Sequence, residues 1–163
     1  MNLRTLILFV LLSWGMTGHS SDPESSTRNA LSENGKKTLL SLVNDARSRG
    51  CKCGSQKMPP VGIVKWDNQL EAAALKHSMD MSKHHFLSHT GSDGSTLSSR
   101  ITKEGFKWSS CAENIAEGYE TEQQVMEGWL KSPGHCKNLM NPAYSYMGAA
   151  RSGSYWTQDF AGR

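Results

Sequence analysis

The sequence predicts an α+β domain, with helices dominating its first part and strands closing it. Three observations point there. Leu39, Leu40, Val43 and Ala46, and again Leu70, Ala73, Ala74, His77 and Met81, recur at helical spacing. Thr121-Glu122-Gln123-Gln124 is a capping box, with a threonine N-cap and glutamine at the third helical position. After Asn141-Pro142 the pattern changes to two strand-like runs, Tyr146–Ala150 and Tyr155–Phe160, joined by the turn residues Ser152-Gly153-Ser154.

In chain order, Arg4 followed by the apolar run from Leu6 to Leu12, extending through Trp14 to Met16, reads as the start of a signal peptide. Gly18-His19-Ser20 supplies the small residues of a cleavage site, placing the signal at residues 1–20. The run is well short of the roughly 20 apolar residues that a spanning helix needs, so no transmembrane anchor is expected. No cysteine follows it to carry a lipid. Residues 21–36 are polar and read as a flexible leader. Residues 37–163 then form one domain, large enough to bury a core. Its first helix ends at Gly50, and a Cys/Gly/Pro loop runs through Pro59-Pro60. Ile63-Val64-Lys65-Trp66 leads into a second helix, N-capped by Asp67 and carrying residues through His84. Ser88–Ser95 is a loop. A short helix follows, with Leu97 and Ile101 inward and Gly105 as its stop. The helix opened by Thr121 carries Val125 and Trp129 and is ended by Pro133-Gly134.

The net charge of +3 falls to about +2 once Arg4 leaves with the signal, and no basic stripe is visible, which argues against a nucleic-acid partner. Four cysteines, Cys51, Cys53, Cys111 and Cys136, form an even set in an exported chain, which predicts disulfides. A Cys51–Cys53 bridge would close a very small strained ring, so each of these two is expected to reach Cys111 or Cys136. The Cys-Lys-Cys spacing lacks the usual spacer of a zinc knuckle.

Three segments concentrate polar chemistry at helix ends or in loops, where functional groups collect: Phe86–Gly91, Cys111–Ala116 and Ser132–Asn138. Two histidines and a carboxylate brought together there could ligate a divalent ion or act as acid and base. His77 reads as a core or cleft-floor group, and His84 and His85 as caps of their helix end. Asn44 and Arg47 read as polar buttresses, and Trp66, Trp129 and Trp156 as core aromatics. Glu117, Glu120 and Glu122 read as solvated surface near a helix start.

In this order the segments resemble the CAP domain, the superfamily of cysteine-rich secretory proteins, antigen 5 and pathogenesis-related 1 proteins, and in particular its short bacterial secreted branch. The likeness runs from about Leu39 to Phe160. It is carried by Val43-Asn44-Asp45-Ala46-Arg47, Trp66-Asp67-Asn68-Gln69-Leu70, His77-Ser78-Met79-Asp80-Met81, Ser88-His89-Thr90-Gly91, Ala112-Glu113-Asn114-Ile115-Ala116, Trp129 with Ser132-Pro133-Gly134-His135, and Tyr155-Trp156-Thr157-Gln158. The resemblance implies a three-layer α-β-α sandwich with a central cleft lined by two histidines and two acidic residues. In some members the histidines hold zinc or another divalent cation. His89, Glu113 and His135 match three of those four positions, with His89 and His135 as the metal-ligand candidates, and Asn114 stands beside Glu113. Ser132 occupies the place of the second glutamate. Glu127, two residues before Trp129, is rotated about 200° around the helix from it and cannot substitute.

The resemblance implies a secreted or periplasmic binding module for a lipid, sterol or protein ligand. Two other readings compete with it: a metal-dependent hydrolase, peptidase-like, using the same cleft, and a structural cell-envelope factor. No nucleophile stands in an activation motif, and the acidic set is incomplete, so binding is expected over catalysis.

Overall fold

The computed structural model describes residues 30–163. The signal peptide expected over residues 1–20 lies outside the described residues, as does most of the expected leader. The leader's end is shorter than expected. Helix α1 (Glu33–Arg49) already begins at Glu33, because the Ser32 hydroxyl accepts a hydrogen bond from the Gly35 N–H at 3.1 Å and Glu33 places negative charge in the first turn. Gly50 closes α1 at φ 72°, and its Cβ-free backbone packs on Met58 and Pro59.

The stretch expected to be an irregular Cys/Gly/Pro loop contains a small hairpin, β1 (Cys51–Cys53) and β2 (Gln56–Met58). Its two-residue connection holds Gly54 at φ 63°, a conformation that suits a tight hairpin. β3 (Lys65–Trp66) leads into α2 (Asn68–His84), where Asp67 caps the Gln69 and Leu70 N–H groups at 2.8 and 3.3 Å. α3 (Leu97–Lys103) follows the Ser88–Ser95 loop.

β4 (Ser110–Glu117) is a strand where a loop was expected. Its inward positions include Glu113 and Asn114, and these polar residues hide the strand's alternation. α4 (Glu122–Lys131) opens with the expected capping box at Thr121 and Gln124. Pro133 does more than stop it. It stands in the first turn of a new helix, α5 (Pro133–Leu139), where a missing N–H costs nothing. β5 (Tyr146–Ser152) and β6 (Tyr155–Gly162) form the expected hairpin.

The main sheet has the order β3-β5-β6-β4, with β3 parallel to β5 and the other pairs antiparallel, so β4 lies at an edge. Alternation along β4 and β6 sorts the side chains into two layers. Trp156, Phe160 and Ala116 join Leu39 and Val43 of α1, Val125 and Trp129 of α4, and Leu139 of α5 on one face. Ala161 packs with Leu70 and Ala73 of α2 and Ile101 of α3 on the other, while Ile115 and Tyr155 pack there with Met81. This is the expected α+β, three-layer α-β-α sandwich. Gly148 lets α2 lie directly on β5, since a Cβ there would collide with the backbone of Leu70 and Glu71.

The polar buttresses behave as expected. Fully buried Arg47 donates to four carbonyls, those of Gly62, Leu139, Asn141 and Tyr144, at 2.6–3.1 Å. Asn44 bonds both the N–H and the C=O of Val64. Trp129 and Trp156 are core residues, whereas Trp66 is only half-buried and donates to Glu71 at 2.8 Å.

Candidate functional site

The site candidates gather around edge strand β4. Glu113 points from β4 toward the α2 face, and its side chain is 3% exposed. Such a carboxylate needs partners for both oxygens. Oε1 accepts from His89 Nδ1 at 2.8 Å, and Oε2 accepts from Arg100 Nη2 of α3 at 2.6 Å. Burial pushes the Glu113 pKa up, but the His89 bond and the charges of Arg100 and His77 outweigh it, and the group stays below its ordinary value.

Arg100 is itself nearly buried and also donates to the Ser95 and His89 carbonyls at 3.0 and 3.1 Å. It therefore ties the base of the His89 loop to Glu113. Asp80 of α2 pins the same loop from the other side, accepting from the N–H and hydroxyl of Ser92. His89 is held at both ends, while its ring remains 60% exposed. Because Nδ1 faces the carboxylate, Nδ1 carries the proton in the neutral ring and Nε2 presents its lone pair. The bond to Glu113 raises the His89 pKa.

His135 projects from the first turn of α5 and is half-buried. Burial, and then the nearby charge of His89, lowers its pKa. α5 is fastened to β4 by a separate amide set on the sheet's other face. Asn114 donates to the His135 carbonyl at 3.2 Å and to Gln158 at 3.0 Å, and Asn138 donates to the Asn114 side chain at 2.9 Å and the Glu113 carbonyl at 3.3 Å. Asn114 is thus a fully buried strut on a strand, not a loop residue beside Glu113's carboxylate. Ser132 is half-buried at the start of α5, and its side chain makes no cap hydrogen bond. Glu127 is exposed and pairs with Lys131 at 3.7 Å.

Two groups escaped the sequence reading. Arg100 gave no motif signal. Its only hint was a cation beside buried Ile101 on a short helix. Asp159 sits directly across the ladder from Glu113 and is fully buried, with neither carboxylate oxygen hydrogen-bonded. Burial and the Glu113 charge push its pKa well above the ordinary carboxyl range. An acidic residue within the strand-like run Tyr155–Phe160 was the available signal. His77, read as a cleft-floor group, is fully buried. Its Nε2 meets the Ser88 carbonyl at 2.8 Å and lies 3.9 Å from Glu113, and burial lowers its pKa.

The cysteines depart from expectation. Cys53 is bonded to Cys136, but Cys51 and Cys111 are unpaired. Cys51 and Cys53 are two residues apart on β1, so both side chains point the same way and compete for Cys136. Cys111 packs with the α2-face cluster, on the opposite side of the sheet from Cys136. Among the described residues, the set of three ligand-bearing side chains whose donor atoms lie within 4.8 Å of one another is Cys51, Cys53 and Cys136, not His89, His135 and Glu113.

A polar cavity of about 440 Å³ opens beside the site, bordered by His77, Asp80 and Arg100. A larger groove of about 580 Å³ between α1 and α2 contains none of the site residues. No helix among the described residues is long and apolar enough to cross a membrane.

A sandwich of this topology, with His89 and Glu113 bonded over an edge strand, defines a CAP-type domain. Comparison with known proteins agrees: the family model described as "Cysteine-rich secretory protein family" matches residues 40–160, and the chain belongs to this CAP family. It is 30% identical over 130 residues to the Bacillus subtilis protein YkwD, an alignment covering 78% of this chain and 47% of that one. The membrane protein YlbC of the same organism is 32% identical over 128 residues, covering 78% of this chain and 34% of the relative. The chain thus spans less than half the length of these curated relatives, which fit the bacterial branch. Among solved structures, an extracellular SCP-domain protein from Bacillus anthracis superimposes with a TM-score of 0.71 at 28% identity, covering 80% of this chain and 41% of that one. An outer surface protein of Borrelia burgdorferi shares the fold with a TM-score of 0.70 at 22% identity, covering 82% and 97% of the two chains.

Proposed function

We propose that this CAP domain works outside the cytoplasm as a non-catalytic binding module for a lipid, sterol or protein ligand, with His89 and His135 able to hold a divalent cation such as zinc. One observation carries the preference for binding over catalysis: the Glu113 carboxylate is spent on structure. One oxygen is bonded to His89 and the other to Arg100, and burial leaves it no free face to take a proton from water. Ser132 stands where a second carboxylate would be needed.

The donor chemistry fits a modest, open metal site. Glu113 orients the His89 ring and raises its basicity, as a carboxylate behind a ligating histidine does, leaving Nε2 for the ion. His135 supplies the second imidazole, and its lowered pKa keeps it neutral and ligand-ready at neutral pH. A bound ion would supply positive charge to an acidic or carbonyl-bearing part of a ligand. With two protein ligands, water must complete the shell, and affinity is modest.

Zinc titration calorimetry on the purified chain, alongside His89→Ala and His135→Ala variants, tests the metal. Heat independent of both histidines refutes it. A peptide and ester substrate screen tests the rest: robust turnover lost in Glu113→Gln would favour the hydrolase.

A further inference from the structure

We propose that Cys51, Cys53 and Cys136 form an internal thiol–disulfide exchange site, in which the bridge to Cys136 passes between two positions on one strand. The Cys51 sulfur lies 3.6 Å from the Cys136 sulfur and 3.9 Å from that of Cys53, while the bond runs between Cys53 and Cys136. A third thiol in contact with a disulfide is the arrangement that exchange requires.

The reaction balances without any outside oxidant. The Cys51 thiolate attacks the Cys136 sulfur and a Cys51–Cys136 bond forms. The Cys53–Cys136 bond breaks, Cys53 leaves as a thiolate, and the proton given up by Cys51 is made good at Cys53. Attack on Cys53 instead would join residues two apart and is disfavoured by ring strain. The direction of transfer is therefore set by the spacing.

Both bridges fit the same fold. Cys51 and Cys53 are on the same side of β1, which packs on α5. Exchange moves the tether of α5 by two residues along the hairpin without releasing the helix. α5 carries His135 next to Cys136, and also Asn138, which bonds Asn114 and the Glu113 backbone. The two isomers thus hold the His135 turn from different anchor points. They also differ in reactivity: Cys51 is half-buried and open to reagents, whereas Cys53 is 1% exposed, so the isomer with a free Cys53 hides its thiol.

Lys52 lies between the two cysteines, so trypsin places Cys51 and Cys53 on separate peptides. The purified wild-type chain is incubated without oxidant or reductant, its free thiols are alkylated during rapid acid denaturation, and the tryptic peptides are mapped by mass. Both Cys53–Cys136 and Cys51–Cys136 linked peptides are expected, the second growing to a plateau with time. Cys51→Ser should show the first alone. Cys53→Ser, refolded in a glutathione redox buffer, should bridge Cys51 to Cys136. A wild-type map holding only Cys53–Cys136 at every time overturns the proposal, as does a folded Cys53→Ser protein in which Cys51 and Cys136 both alkylate. If Cys53→Ser does not fold, the wild-type map decides.

Discussion

Replacing Glu113 with glutamine keeps the shape of the side chain and removes its charge. Arg100 then loses its counter-ion in a place where both side chains are under a tenth exposed. Breaking a buried pair this way costs about 3–5 kcal/mol, because one charge stays behind uncompensated. Arg100 keeps its bonds to the Ser95 and His89 carbonyls, so the loss should fall near the lower end, about 3 kcal/mol. The exposed His89 bond adds no separate figure. For a domain of this size that loss is roughly a 10 °C drop in Tm. Two titrations should move with it. The His89 pKa should fall, since Glu113 is what raises it, and the Asp159 pKa should fall, since Glu113's charge helps hold it up. Urea denaturation at neutral pH measures the first effect, and NMR titration of the His89 and Asp159 side chains measures the second. A stability loss below about 1 kcal/mol with an unshifted His89 would refute the account of Glu113 as a saturated, charge-paired strut.

Zinc affinity should weaken as pH falls. His89, whose pKa is raised, takes its competing proton first, above the ordinary value near 6.5, and calorimetry at pH values on either side of it reads the effect. Stability should also decline on acidification. His77 and His135 have lowered folded pKa values, so they favour the fold above about 6.5 and lose that contribution as pH falls, while His89, raised, contributes in the opposite sense below it. Glu113, depressed, contributes above about 4.3 and loses its share as pH falls through its folded pKa, so an acid-unfolding curve should steepen there. Cys136→Ser removes the shared partner of both hairpin cysteines and opens a bridge that spans 83 residues, so chemical denaturation should show a loss of about 2–5 kcal/mol. Gly148→Ala drives a Cβ into the α2 backbone at Leu70 and Glu71, and a thermal melt should register a loss of about 1–3 kcal/mol or more.

The sequence by itself determined the elements whose signals are local. Asp67 and Thr121 caps, the Gly50 stop and the Ser152-Gly153-Ser154 turn between β5 and β6 all act through the nearest few residues, so they can be read without knowing the fold. The family motifs singled out His89, Glu113 and His135, and the structure bonds the first two to each other. What stayed hidden depends on pairing across long separations. β4 reads as a polar loop until β6 lies against it, because its buried polar residues find their partners there and on α2, α3 and α5. Arg100 and Asp159 acquire meaning only once Glu113 is placed between them, 13 residues from Arg100 in the chain and opposite Asp159 in the ladder. The disulfide choice is the sharpest case. An even count of cysteines suggested complete pairing, but the sheet separates Cys111 from Cys136, and β1 points two sulfurs at one partner. Composition counts thiols, whereas only the tertiary structure fixes which sulfurs meet, since bond formation depends on distances set by packing rather than by spacing along the chain.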